Sequence, residues 1–216
     1  MQQYGTVGEK NWSERPVYIV GGGSSLRPHA KKLWLLYQRG FVVAVNDSHL
    51  HCYFPDAIFT LDHLWLEKNI KKIEDMPGPV FAAVDKENPR VESKNLTYLK
   101  RTRRLGISEP SPLSEDATVI TNGMNSGYGA LNLAFLKGAK IIYLLGFDFK
   151  EIENKAHFHA GYPWHNRTNS NRMFPYWAKA FEDTTVQLNK YGVHVFNCSP
   201  DSLVTCFPRK SYDEVL

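Results

Sequence analysis

The run Ile141-Ile142-Tyr143-Leu144-Leu145 is apolar at every position, the pattern of a short strand buried on both faces of a sheet. A helical stretch precedes it. Leu131, Ala134 and Phe135 recur at helical spacing, Gly138 stands where a left-handed C-cap belongs, and Ser126 reads as the N-cap. A helix followed almost at once by a fully buried strand is half of a parallel αβ unit, so this stretch commits the chain to a layered α/β sheet. The strand then ends in Gly146-Phe147-Asp148-Phe149. Open parallel sheets bind ligands outside the carboxyl ends of their strands, where Asp148 falls. A helix N-terminus such as Asn125-Ser126-Gly127 is a ready anion receptor. An ordinary αβ unit with a solvated aspartate at its tip has the same sequence.

Three further strand ends repeat the pattern. Val17–Val20 runs into Gly21-Gly22-Gly23-Ser24-Ser25-Leu26 and then a helix carrying Leu33, Leu36 and Tyr37 that stops at Gly40. Strand, glycine-rich turn and helix together suit a phosphate, because glycines admit the backbone closely and amides at the helix start face an anion. The dinucleotide fingerprint is incomplete, since Leu26 replaces its third glycine, and no Lys-Ser/Thr pair of the P-loop kind is present. FVVAV (41–45) ends in Asn46-Asp47, and AIFTL (57–61) ends in Asp62. A tight connection explains one such end, and turn preference explains one Asn or Asp. Four ends on one edge read better as a crevice lining.

Length allows one sizeable domain, 216 residues with no repeat or linker. Residues 1–15 are polar and aperiodic, which suggests a loose arm ahead of a domain over 16–216. The net charge of +4 suits phosphate-bearing ligands without implying nucleic acid. Cys52, Cys198 and Cys206 lack paired-ligand spacing and fit a reducing, cytoplasmic setting. No apolar run reaches the roughly 20 residues of a membrane span.

Two polar segments remain. Lys100, Arg101, Arg103 and Arg104 are the densest basic cluster, either a solvated face or a rim for a phosphorylated or polymeric acceptor. The stretch 150–173 lacks clear periodicity and carries His157, His159 and His165 among aromatic residues, which suggests a lid over the crevice. A lid histidine would suit general-base work, His159 before His165 and His157; His-x-His alone does not make a zinc site. Thr118–Ile120 suggests a short strand feeding the central unit, and a helix over about 174–190 and a strand at Val193–Asn197 close the fold.

In order, these motifs resemble two related groups. Gly21–Leu26, Asn46, Ser126-Gly127, Gly146–Phe149 and Cys198-Ser199-Pro200-Asp201-Ser202-Leu203 are similar to the motif series of bacterial sialyltransferases built on one nucleotide-binding domain with a lid. Pro55-Asp56 to Asp62 and His159-Ala160-Gly161 are similar to proteins related to 6-hydroxymethylpterin diphosphokinase. Asn125–Tyr128 and the histidine-rich segment also resemble small phage-encoded proteins of the same superfamily. Gly22 departs from the sialyltransferase turn, which has Asn there. The resemblance implies a Rossmann-like, mostly parallel sheet with helices on both faces and a short lid. It implies a transferase using a nucleotide-sugar donor, with no tightly bound cofactor. Gly21, Gly22, Gly23, Ser24, Ser25, Asn46, Asp47, Asp62, Asn125, Ser126 and Gly127 would hold the donor. His159, His165, His157 and Asp148 would serve catalysis on a glycan, metabolite or DNA acceptor. The rival is a diphosphokinase with Asp62 and Asp148 on Mg²⁺; a further reading is a nucleotide-binding phage accessory protein without catalysis.

Overall fold

A computed structural model of the chain describes residues 4–84, 93–102, 112–153, 155–159 and 167–216. The strands are β1 (Val17–Val20), β2 (Phe41–Val45), β3 (Ala57–Thr60), β4 (Val80–Ala82), β5 (Leu96–Tyr98), β6 (Lys100–Arg101), β7 (Val119–Ile120), β8 (Ile141–Leu145) and β9 (His194–Asn197). Seven of them make one sheet in the order β5-β4-β3-β2-β1-β8-β9, and every pairing in it is parallel. The α-helices are α1 (Leu36–Arg39), α2 (His63–Asn69), α3 (Ser126–Leu136), α4 (Arg167–Lys179), α5 (Thr185–Lys190) and α6 (Tyr212–Val215). This is the expected Rossmann-like α/β architecture.

Strand alternation explains the two layers. Val17 and Ile19 of β1 face one core and Tyr18 and Val20 the other; Val43 and Val45 of β2 oppose Val42 and Ala44 in the same way. Side chains from α3, α4 and α5 fill the first core, and the second is covered by the 3-10 segment Ser24–Leu35, α1, α2 and α6. The three cysteines are free thiols, each pushed up to about 12 by burial first of all, and so stay protonated near neutral pH. Among the described residues no helix is long and apolar enough to cross a membrane.

Several expectations are corrected. The segment 4–15 is not a loose arm. Val7 and Trp12 are buried, their amides donate to Ala117 O and Lys137 O, and Trp12 stacks on Phe41 at 5.2 Å. Two apolar side chains in an otherwise polar stretch anchor it without leaving a periodic trace. The helix after Gly23 opens as 3-10 rather than α, with Pro28 inside it. The expected helix over 174–190 is two, α4 beginning inside the aperiodic stretch and α5 following a 3-10 turn at Glu182–Thr184. Thr118–Ile120 does contribute a strand, β7, but it pairs with β6 in a separate two-stranded ribbon.

Candidate active site

The chain runs outward from β1 to β5, then returns to place β8 on the other side of β1. Adjacent strands whose connections leave in opposite directions open a crevice at their carboxyl ends. Here those ends are Gly21–Gly23 and Gly146–Asp148, and they grip each other. The amides of Gly21 and Gly23 donate to Leu145 O at 2.7 Å and Gly146 O at 2.8 Å. A Cβ on Gly21 would stand 2.6 Å from Gly146 O, and one on Gly23 2.6 Å from both Gly146 O and Asp148 Cγ. The Ser25 amide donates to Asp148 Oδ2 at 2.8 Å and its hydroxyl to Asp148 Oδ1 at 2.5 Å. Tyr212 Oη completes the knot, 2.7 Å from Ser25 Oγ and accepting from the Gly146 amide at 3.1 Å, and burial pushes that phenol up to about 12. Below it, the Phe147 amide donates to Ser199 Oγ at 2.7 Å and Ser202 Oγ–H to Phe147 O, so the turn after β9 braces the end of β8.

This changes the reading of the glycine turn. The amides of Gly21, Gly23 and Ser25 satisfy protein acceptors rather than an anion, and the glycines are required because β8 passes so close. Asp148 is 1% exposed and ties this turn down. Ser24 turns away as well, its hydroxyl donating to Lys155 O at 2.6 Å.

A cavity of about 500 Å³ lies beside the knot, over the ends of β1, β2, β3 and β8 and the start of α3. Of the expected residues, Gly21, Gly22, Gly23, Asn46, Asp62, Asn125, Ser126, Gly127, Asp148 and His157 line it, whereas Ser24, Ser25, Asp47 and His159 do not. Asp47 Oδ1 accepts from Trp65 Nε1 at 2.6 Å. Asp62 caps α2, its Oδ1 accepting from the Leu64 and Trp65 amides. The N-cap of α3 is Asn125, whose Oδ1 accepts from the Tyr128 amide at 2.8 Å. Ser126 instead accepts from the Leu61 amide at 3.0 Å, pinning the helix start to the end of β3. Ser126 and Gly127 thus supply first-turn amides, which have no partner within a helix, at the cavity wall.

Further lining residues were not among those that the sequence placed in the crevice. Arg101 on β6 lines the cavity, its guanidinium donating to Leu61 O at 3.2 Å; its cluster had left open a solvated face or a rim for a phosphorylated or polymeric acceptor. Phe174 and Trp177 of α4, together with Phe149 and Met124, give an apolar wall. The signals for them were the basic run from Lys100 to Arg104 and two aromatics three positions apart in a polar stretch. Asn46, Met124 and Phe149 all hold positive φ, 52°, 65° and 50°, and all line the cavity. Residues in such conformations gather at ligand sites, where surrounding structure sustains the strain. Asn46 Oδ1 and Trp177 Nε1 are buried with no hydrogen-bond partner among the described residues. Orphaned buried polar atoms cost about 1–3 kcal/mol each, a cost that a ligand would remove.

The histidines divide. His157 lines the cavity; its ring stacks on His159 at 4.9 Å, and its carbonyl accepts from Arg27 at 2.9 Å. Burial, reinforced by His51, lowers His159 to about 4, which leaves it neutral and a weak base. The Phe158 amide donates to Gly22 O at 2.9 Å, so this strip sits against the glycine turn. His165, Arg103 and Arg104 lie outside the described residues. For Mg²⁺ the donor set does not fit. Asp148 is committed to Ser25, Asp62 to its helix cap, and no three His, Cys, Asp or Glu side chains cluster as ligands among the described residues.

No family model and no curated protein matches the sequence. Solved structures do match. The MAf glycosyltransferase of Magnetospirillum magneticum AMB-1 superposes with a TM-score of 0.60 at 13% identity, over 99% of this chain and 36% of that one. The chain has the fold of glycosyltransferases. It spans little more than a third of the MAf protein's length. The sialyltransferase CstII of Campylobacter jejuni, in complex with the substrate analogue cytidine-5'-monophosphate, matches with a TM-score of 0.51 at 15% identity, over 92% of this chain and 86% of that one.

Proposed function

We propose that the protein is a glycosyltransferase of the sialyltransferase-like kind, taking its sugar from a nucleotide donor in the cavity at the β1/β8 switch. The observation that carries this reading is the cavity's composition. Ser126 and Gly127 at the start of α3, Arg101, Asn46 and an aromatic wall line one space. Together they supply an anion receptor, a hydrogen-bonding group for the nucleoside and an apolar face for rings. The shared fold of CstII, whose structure holds CMP, supports a donor of that class.

In this reading the donor phosphate rests on the α3 start and Arg101, and not on the glycine turn. His157 takes the proton of an acceptor hydroxyl as that oxygen bonds to the anomeric carbon. The anomeric carbon–oxygen bond to the phosphate breaks, and the nucleotide leaves with the negative charge that the amides and Arg101 stabilise. A positioned base contributes about 10²–10⁴-fold. Residues 16–216 act as one domain with 150–173 as its lid, in a cytoplasmic setting; the acceptor is a glycan, a metabolite or DNA. The decisive experiment incubates the protein with CMP- and UDP-sugars, with and without Mg²⁺, and follows nucleotide release and thermal stabilisation. Stabilisation by a sugar nucleotide with slow release of CMP or UDP is expected. Stabilisation by ATP only with Mg²⁺, and by no sugar nucleotide, would replace this reading with the diphosphokinase. Binding without turnover under any acceptor would replace it with a non-catalytic nucleotide-binding protein.

A further inference from the structure

Away from the cavity, a knob of aromatic side chains stands in solvent. Tyr53 and Phe54, in the loop between β2 and β3, are 57% and 63% exposed and pack ring to ring at 4.7 Å. Tyr37 of α1 meets both, at 6.1 and 6.2 Å. Trp34, three residues before Tyr37 on the same helical run, is 46% exposed, and Leu50, entering the loop, is 69% exposed. Phe54 sits at φ 47°, a conformation disfavoured for an aromatic residue, and the fold keeps its ring outward there. Single exposed apolar residues are ordinary, but five from two neighbouring segments are not.

The helical run beside the knob is wholly basic, and the two carboxylates of the loop are turned to protein donors, Asp47 accepting from Trp65 Nε1 at 2.6 Å and Asp56 from the Val42 amide at 2.8 Å. From Arg15 to Asn46 the chain has no Asp or Glu, and Arg27, Lys31, Lys32 and Arg39 all lie exposed on the helical run that carries Trp34 and Tyr37. Lys32 lies 3.7 Å from Asp213, and both side chains are largely in solvent. We propose that Trp34, Tyr37, Leu50, Tyr53 and Phe54 form a docking surface that seats the protein on an anionic lipid bilayer. Aromatic rings settle at the headgroup level, where their mixed character suits the interface, and flanking Lys and Arg are drawn to anionic headgroups. A second copy fits less well, because a self-complementary seam would bring the same cations face to face. Single-stranded nucleic acid also fits less well. Its bases need ring faces spaced along a groove, whereas Tyr37, Tyr53 and Phe54 pack against one another edge-on or tilted.

The test is co-sedimentation of the full chain with vesicles of phosphatidylcholine alone and of phosphatidylcholine with phosphatidylglycerol. The wild type should bind the anionic vesicles, and the binding should weaken with salt. Lys31→Gln with Lys32→Gln should lower partitioning by about fivefold per charge removed. Tyr53→Ser with Phe54→Asn should lower it by about tenfold or more; Asn tolerates the left-handed backbone, so melting temperature should hold. Val186→Ser, an 81% exposed apolar site on α5, should change nothing. No binding to anionic vesicles at low salt would overturn the proposal. So would unchanged binding in a folded Tyr53→Ser, Phe54→Asn protein. Self-association, or oligonucleotide binding without vesicle binding, that this double substitution abolishes would reassign the surface and overturn it as well.

Discussion

The glycine turn after β1 and the start of α3 look alike as sequence: each is a glycine-bearing entry into a helix at the ligand edge of a parallel sheet. The structure separates them. At Gly21–Ser25 three amides bond to Leu145, Gly146 and Asp148, and the following helix begins as 3-10. At Asn125–Gly127 the side-chain cap takes the Tyr128 amide, and Ser126 and Gly127, the first residues of an 11-residue α-helix, line the cavity. Glycines that admit a neighbouring strand and glycines that admit a phosphate cannot be told apart by spacing alone. What distinguishes them is where the amides go.

Substitutions at the two places should therefore fail in different ways. The largest effect is expected at the turn. Gly23→Val places carbons within 2.6 Å of Gly146 O and Asp148, and neither has room to move. We expect a loss of about 3 kcal/mol and a Tm lower by roughly 6–12 °C in thermal denaturation. A folded variant that melts with the wild type but no longer binds nucleotide would restore the turn as a phosphate cradle.

Next comes the strip over the turn. His159, lowered to about 4 in the folded protein from the usual 6.5, remains neutral while the unfolded chain takes up a proton. Its contribution is intact above pH 6.5, is lost as pH falls toward 4, and amounts to about 2–3 kcal/mol at the lower end. Denaturant titrations of wild type and His159→Asn at pH 7 and pH 4.5 should show a smaller pH-dependent loss in the variant. Parallel curves would mean the ring is not held away from water.

At the helix start the stability effects are smaller. Ser126→Ala leaves the Leu61 amide without its partner, at about 1–2 kcal/mol by the same denaturant measurement. Asn46→Gly should be the mildest for the fold, within about 0.5 kcal/mol, because glycine accepts φ 52° freely. Its nucleotide affinity should still drop by about tenfold through loss of one hydrogen bond. Asn46→Gly with full affinity would take Asn46 out of the site.

Much of this frame was legible. Continuous apolar runs gave β1, β2, β3 and β8, and the polar ends that follow them do fall on one edge. β5 and β6 were not legible, because three half-buried residues and a two-residue strand carry no period, and β7 was legible as a strand but not as the partner of β6. Arg101 reaches the cavity only because Lys100 and Arg101 pair with Val119 and Ile120, a long-range contact with no local signature. Trp177 and Phe174 were hidden by the polar first half of α4. Asp47 and Asp62 show a different ambiguity. Their sequence signal was real, but a helix cap and an indole N–H use the same carboxylates.

The claim that the anion site lies at the α3 start beside Arg101 is tested most directly by calorimetric titration of CMP and UDP into wild type, Arg101→Met and Ser24→Ala proteins. The tighter of the two nucleotides should lose at least about tenfold in affinity for Arg101→Met, since a hydrogen bond to a charged group is removed. Ser24→Ala, at a turn whose amides face the protein, should stay within about twofold. Undiminished binding by Arg101→Met together with a large loss in Ser24→Ala would contradict the account.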